Sequence, residues 1–254
     1  MEPLVRQLSS RPMIRTEPGG PVVDPLEVQT TYSRGRPDRP WVIANFISTI
    51  DGAAVVQGGS TAINDDDDKA MFAALRVVPD FVLVGAGTVR AENYQPIKLD
   101  DAAQSARVEA GMEPNPHLIV VSGSLDLETT HRVFSDPEHR VTVLTGQDSP
   151  PDRFAELSDV ADVIRLNSTG ADDLIHYMRM ARLVLCEGGP TLMGAMIAGG
   201  YIDEMALTVA PMLVSGVSPR ITHGASPEQP MEMRLDRVLY GDRSLFLRYL
   251  RADD

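Results

Sequence analysis

Apolar runs separated by helical patterns constrain this chain more than any single motif does. Trp41 to Thr49, Phe81 to Val84, His117 to Val121, Val141 to Leu144, Val163 to Leu166, Ala181 to Leu185 and Glu204 to Ala210 read as strands. Helical patterns lie among them: one from Asn64 to about Val78, one around Ala102 to Ala110, one from Ala171 to Met180 and one from Met193 to Ala198. Strands alternating with helices predict an α/β domain on a largely parallel sheet. Leu235 to Tyr240 and Ser244 to Leu250 read as a hairpin turned at Gly241-Asp242, so the predicted sheet is mixed, with antiparallel strands at its C-terminal end. Ala53 to Val56 is expected as a further short strand, returning after the turn at Asp51-Gly52. Residues 1–40, rich in Pro, Arg and Gly, are expected to form an N-terminal extension lying on the surface or on a partner subunit, ahead of one domain over 41–254. The arginines from Arg34 to Arg39 read as a solvated approach to the first strand.

The acidic run Asp65 to Asp68 opens the first long helical pattern. Asn64 is expected to cap that helix, and the negative charges offset its dipole. A solvated helix start, not a metal site, is the expectation for such a run.

The segment Cys186-Glu187-Gly188-Gly189-Pro190-Thr191-Leu192 follows a strand and precedes a helix. Pro190 suits a first helical position, and the glycines let the backbone approach a ligand closely. Free N–H groups and the positive helix end favour a phosphate or pyrophosphate there. The same glycines also serve simply to end a strand and start a helix. A second glycine-rich strand end, Gly85-Ala86-Gly87-Thr88-Val89-Arg90, lacks the third small residue of a dinucleotide fingerprint. In a parallel sheet both strand ends open at one edge, so both could give N–H groups to one extended cofactor.

Composition narrows the function classes. The chain has 254 residues and a formal net charge of −13, which argues against a basic nucleic-acid surface. Its one cysteine, Cys186, excludes an internal disulfide and argues against a cysteine-based zinc site. No apolar stretch is long enough for a spanning helix, and no signal peptide is evident, so a cytoplasmic, membrane-free protein is expected.

The ordered set Ser48-Thr49-Ile50-Asp51-Gly52, Gly59-Ser60 with Ile63, Leu75-Arg76, Val84 through Glu92, Ile119-Val120-Val121-Ser122, Glu187 through Leu192 and Val209-Ala210-Pro211 resembles the reductase domain of riboflavin biosynthesis. The resemblance implies a single dihydrofolate-reductase-like domain, with helices flanking a mixed, mostly parallel central sheet. It also implies reduction of a pyrimidine precursor, 5-amino-6-(phosphoribosylamino)uracil, with NADPH giving hydride to C1 of the open-chain ribose and no metal required. Gly87, Thr88, Glu92, Ser122 and the turn Gly188, Gly189, Pro190, Thr191 and Leu192 would hold the cofactor. Its 2′-phosphate would lie near Ser122-Gly123-Ser124. Ser60, Arg76 and Glu187 would face the substrate, with Arg76 on its phosphate. Asp51 would supply a proton or orient the substrate, and Glu187 would hydrogen-bond its hydroxyls.

The chain departs from the family at two places. Lys98 stands near where relatives place a second phosphate-binding Arg, and Ala62 stands where they often carry Trp. Phosphorylated and dephosphorylated pyrimidines therefore both remain open. A dihydrofolate-like pterin reductase and a non-catalytic NADP-binding sensor are the alternative readings. The family also implies a homodimer, with the apolar run Met205 to Val214 supplying edge surface.

Overall fold

The structure is a computed structural model describing residues 13–30 and 35–252. The start of the expected extension, residues 31–34 with Arg34, and the last two residues lie outside the described residues.

The parallel part of the sheet comprises β1 (Trp41–Thr49), β2 (Phe81–Gly85), β3 (His117–Val121), β4 (Thr142–Thr145), β5 (Asp162–Arg165), β6 (Leu183–Cys186) and β7 (Glu204–Ala210). The hairpin β8 (Met233–Tyr240) and β9 (Leu245–Arg251) joins antiparallel to β7. The nine strands run in the order β5-β4-β3-β2-β6-β1-β7-β9-β8. This is the mixed, mostly parallel sheet with a terminal antiparallel hairpin that the sequence pattern predicts. The helices are α1 (Pro25–Thr30), α2 (Asp66–Leu75), α3 (Ala86–Ala91), α4 (Asp101–Glu109), α5 (Pro151–Ser158), α6 (Ala171–Tyr177) and α7 (Pro190–Ala198).

The period-two geometry of strands divides the core in two. Trp41 and Ile43 of β1, Val82 and Val84 of β2, and Leu183 and Leu185 of β6 face one cluster. Val42 and Ala44, Leu83, and Val184 and Cys186 face the other, which receives Met193 and Met196 of α7. Strands covered on both faces read as continuous apolar runs, which is why they stand out in the sequence.

Several local expectations are corrected. Ala53 to Val56 is not a strand. Thr49 N–H already donates to Ala53 carbonyl and Ala54 N–H to Pro219 carbonyl, leaving one isolated bridge between Val56 and Gly59. Asp65, not Asn64, caps α2, its side chain accepting from Asp68 N–H at 2.8 Å. The helix α5 is unanticipated from the sequence, because its packing rests only on a buried Leu157 and a partly buried Phe154. Arg36 and Arg39 are not merely solvated: both pair with the fully buried carboxylate of Asp203. The described part of the extension packs on the domain through Ile14 and Val28, which join Met71, Leu239 and Phe246 in a third cluster. The run Met205 to Val214 offers no sheet edge, since β7 lies between β1 and β9.

Because β1, β2, β3 and β6 are parallel, their C-terminal ends open on one side of the sheet. The turns β2–α3 and β6–α7 meet there.

Candidate active site

A cavity of about 850 Å³ lies at those strand ends. One end is built by the two glycine turns. Gly85 N–H donates to Gly188 carbonyl at 2.6 Å, which stitches the turns together. Gly188 has φ +85°, a left-handed conformation that favours glycine, and a Cβ there would meet the Phe46 ring at 2.7 Å. A Cβ on Gly189 would meet Thr88 Oγ1 at 2.5 Å. The Gly188–Gly189 peptide is cis.

Gly189 is the N-cap of α7, with Pro190 next, and no side chain caps this end. The first-turn amides of Thr191 and Leu192 therefore face the cavity without an intrahelical acceptor. Ser122, only 4% exposed, also lines the cavity and has a hydroxyl with no hydrogen-bond partner. A buried orphan hydroxyl in the same cavity as a turn whose Gly188 and Gly189 leave no room for a Cβ is chemically suited to an anionic, extended cofactor. The residues present fit a nicotinamide dinucleotide: Gly87, Thr88, Ser122, Gly189, Pro190, Thr191 and Leu192 all line this cavity. Gly188 contributes through its carbonyl contact with Gly85. Arg90 also lines the cavity, donating to the Asp126 carbonyl at 2.6 Å and pairing with the Asp126 carboxylate at 3.5 Å.

A polar cluster in the same cavity centres on Glu187, the residue before Gly188. Arg76 forks onto this carboxylate, Nε to Oε1 and Nη2 to Oε2, both at 2.7 Å. Tyr94 donates its hydroxyl to Oε2. The Arg76 guanidinium also lies 4.1 Å from the Phe72 ring centroid. Glu187 is not a helix cap, since α7 is capped by backbone alone. The structure thus brings Arg76 and Glu187 together as partners of each other. Tyr94 was not singled out by the sequence. The only signal for it was its place in the segment that follows the Thr88 turn.

Three expected site residues sit differently. Glu92 lines the cavity, but its carboxylate accepts from Ser60 N–H at 2.8 Å and Thr61 hydroxyl at 3.3 Å, so it braces the turn that presents Ser60. Lys98 is exposed and outside the cavity wall, because its neighbour Ile97 is buried in the core. Asp51 is also outside that wall. Its carboxylate accepts from Thr49 hydroxyl at 2.5 Å, Val214 N–H at 2.9 Å and Ser215 N–H at 2.7 Å. Those three bonds, the Thr49 hydroxyl foremost, hold its pKa down at about 2. Through the bonds from Val214 and Ser215, Asp51 secures the segment after β7.

One carboxyl in the cavity was read only as helix-start charge. Asp68 lines the wall, and burial pushes its pKa up to about 6 against a hydrogen bond from Thr208.

Comparison with known proteins gives consistent results. The model of the RibD C-terminal domain matches residues 40–245. A 2,5-diamino-6-ribosylamino-4(3H)-pyrimidinone 5′-phosphate reductase of Methanothermobacter thermautotrophicus is 33% identical over 187 residues, 72% of this chain and 82% of that protein. The riboflavin biosynthesis protein RibD of Mycobacterium tuberculosis is 31% identical over 199 residues, 78% of this chain and 48% of that protein. Among solved structures, a pyrimidine reductase-like protein of Corynebacterium diphtheriae superposes with a TM-score of 0.79 at 27% identity, covering 91% of this chain and all of that one.

Proposed function

The chain belongs to the RibD C-terminal domain family, and on that premise we propose that it is an NADPH-dependent reductase of a ribosylated pyrimidine in riboflavin biosynthesis. The observation that carries this reading is one cavity lined by two unlike groups: uncapped amides with an orphan hydroxyl, and the Arg76–Glu187–Tyr94 cluster.

The amides of Thr191 and Leu192 would bind the pyrophosphate, with Thr88 beside it and Ser122 donating its unused hydroxyl. A reduced nicotinamide held there supplies a hydride. Ser122, Gly123 and Ser124, with Arg90 beside them, would take the 2′-phosphate, and Arg90 adds the positive charge that favours NADPH over NADH. The carboxylate of Glu187 keeps lone pairs beyond those used by Arg76 and Tyr94, so it can still accept from sugar hydroxyls. Arg76 uses Nε and Nη2 on Glu187, which leaves Nη1 for a phosphate oxygen. The neutral glycosylamine opens to an imine, which takes one proton from solvent to become the iminium; hydride addition to C1 would then give the neutral ribitylamine, so one hydride and one proton are consumed.

We place the protein in the cytoplasm. Among the described residues no helix is long and apolar enough to cross a membrane. We also propose a homodimer, supported by exposed Leu213, Val217 and Leu235. Sedimentation giving a monomer at micromolar concentration would remove that claim.

The test of function is NADPH oxidation with phosphorylated and dephosphorylated ribosylaminopyrimidines. Turnover with either form supports a reductase. Tight NADPH binding with no turnover on any pyrimidine would favour a sensor, and turnover on dihydrofolate alone would favour the pterin reading.

A further inference from the structure

We propose that the substrate of this chain carries a free 5′-hydroxyl in place of a 5′-phosphate. This rests on the functional reading above and adds the state of the sugar to it. It sets the chain apart from the reductase of Methanothermobacter thermautotrophicus, whose name specifies the 5′-phosphate.

A phosphate monoester brings a charge of about −1.5 to −2 at neutral pH. A cavity screened from water accepts such a charge only where cations or unspent donors answer it. Among the described residues that line the cavity, Arg76 and Arg90 are the cations, against three carboxyl side chains, Asp68, Glu92 and Glu187. Arg90 pairs with Asp126 and is assigned above to the cofactor's 2′-phosphate. Lys98, which stands near the place of a second arginine in relatives, is exposed and outside the wall.

The donors beside these carboxyls are already spent on them. Arg76 gives Nε and Nη2 to Glu187, both at 2.7 Å, and Tyr94 gives its hydroxyl to the same carboxylate. Ser60 N–H and the Thr61 hydroxyl go to Glu92, at 2.8 Å and 3.3 Å. Glu187 and Glu92 therefore take the donors that an incoming anion would need. Nη1 of Arg76 is left, but it donates on a charge that Glu187 already balances. It can meet a phosphate oxygen without neutralising a phosphate. The start of α2 also reaches the cavity, through Asn64 and Asp68. That helix is capped by Asp65 and carries Asp66, Asp67 and Asp68 in its first turn, so its positive end is answered by carboxylates rather than open to an anion.

A hydroxyl meets the same groups on better terms, because it donates and accepts at once. Glu92 and Glu187, which repel a phosphate, keep lone pairs that can accept from a hydroxyl. The Ser60 hydroxyl and the Asn64 amide, both on the cavity wall, are neutral groups that can bond it in either sense.

The test is a comparison of two substrates on the full chain with NADPH: the ribosylaminopyrimidine with a free 5′-hydroxyl and its 5′-phosphate. The unmodified protein is expected to prefer the hydroxyl form in kcat/KM by about tenfold or more, the factor carried by one charged hydrogen bond. Glu92→Gln removes one resident charge while keeping an acceptor for Ser60. It should narrow the preference several-fold, through a lower KM for the phosphorylated form. Retained NADPH binding, read by fluorescence quenching, reports that the variant is folded. The inference is overturned if the unmodified protein turns over the phosphorylated form as well as the hydroxyl form, or better, and this comparison decides the matter without the variant. A folded Glu92→Gln protein with an unchanged ratio overturns it too. Absence of turnover with both forms in the unmodified protein overturns the functional reading itself, an outcome distinct from the others.

Discussion

Arg76 and Glu187, 111 positions apart in the chain, form a two-bond fork with both contacts at 2.7 Å. The fork joins the end of α2 to the end of β6 and fixes the polar half of the cavity. The Glu187 side chain is 3% exposed and that of Arg76 is 20% exposed. A nearly buried carboxylate is tolerable only because a fork and a phenol satisfy it.

Removing Arg76 therefore leaves an uncompensated charge. Arg76→Ala should cost about 2–4 kcal/mol of stability, and Arg76→Lys should restore little, because an ammonium cannot fork onto both oxygens. Urea unfolding of both variants checks this. An Arg76→Ala protein as stable as the parent would show that the pair contributes nothing.

The glycine cradle makes a second expectation. Gly188→Ala places a Cβ 2.7 Å from the Phe46 ring on a backbone with φ +85°. It should lose about 2 kcal/mol or more and weaken NADPH binding strongly. Gly87→Ala, where a Cβ meets nothing within 4 Å, should be tolerated far better. Nucleotide fluorescence quenching and chemical unfolding separate the two variants.

Arg90 should act on the cofactor's phosphate alone. Arg90→Ala is expected to weaken NADPH binding by roughly tenfold while leaving NADH unchanged, since one charged hydrogen bond is worth about that factor or more. Equal losses for both nucleotides would remove Arg90 from the 2′-phosphate site.

Asp51 predicts an acid-range effect. Its pKa is lowered from 3.8 to about 2 by bonds from Thr49, Ser215 and Val214. A lowered carboxyl stabilises the fold when ionised, so the contribution is complete above about pH 4 and disappears as pH falls toward 2. Asp51→Asn should flatten stability against pH within that window. It should leave the neutral-range profile of kcat unaltered, whereas a proton donor would move that profile.

Asp68 predicts the opposite sign. Its pKa is raised to about 6, chiefly by burial, with Asp65 adding to the rise and Lys69 and the Thr208 hydroxyl opposing it. A raised carboxyl favours folding when protonated, so its ionisation weakens the fold as pH climbs through about 6. Asp68→Asn should thus gain stability over the parent between about pH 4 and pH 6, and hold that gain above. Parallel melting curves across this range check it.

Much of the fold is legible in the sequence because its strands are covered on both faces. Each such strand must be apolar throughout, and the interruptions mark the turns. The run at β1 and the glycine turn before α7 fall where they were read for that reason. The short helix α5 escaped because Leu157 and a partly buried Phe154 are too few apolar positions to show a period. The glycine end of the cavity was similarly legible, since backbone donors need glycine and proline at fixed places. The polar end was only half legible: a titratable side chain's partner is set by folding.

The acidic run illustrates the division. Sequence alone determined that four successive carboxylates begin a helix, because their charges oppose its dipole. Tertiary structure decided what each one does. Asp65 caps α2 and accepts from the Ser244 hydroxyl. Asp66 pairs with Lys69 at the surface. Asp67 is buried and takes the backbone N–H groups of Met13 and Asp242. Asp68 alone turns into the cavity. A helix rotates successive side chains by about 100°, so four like neighbours meet four different surroundings, and only the packed chain supplies those surroundings.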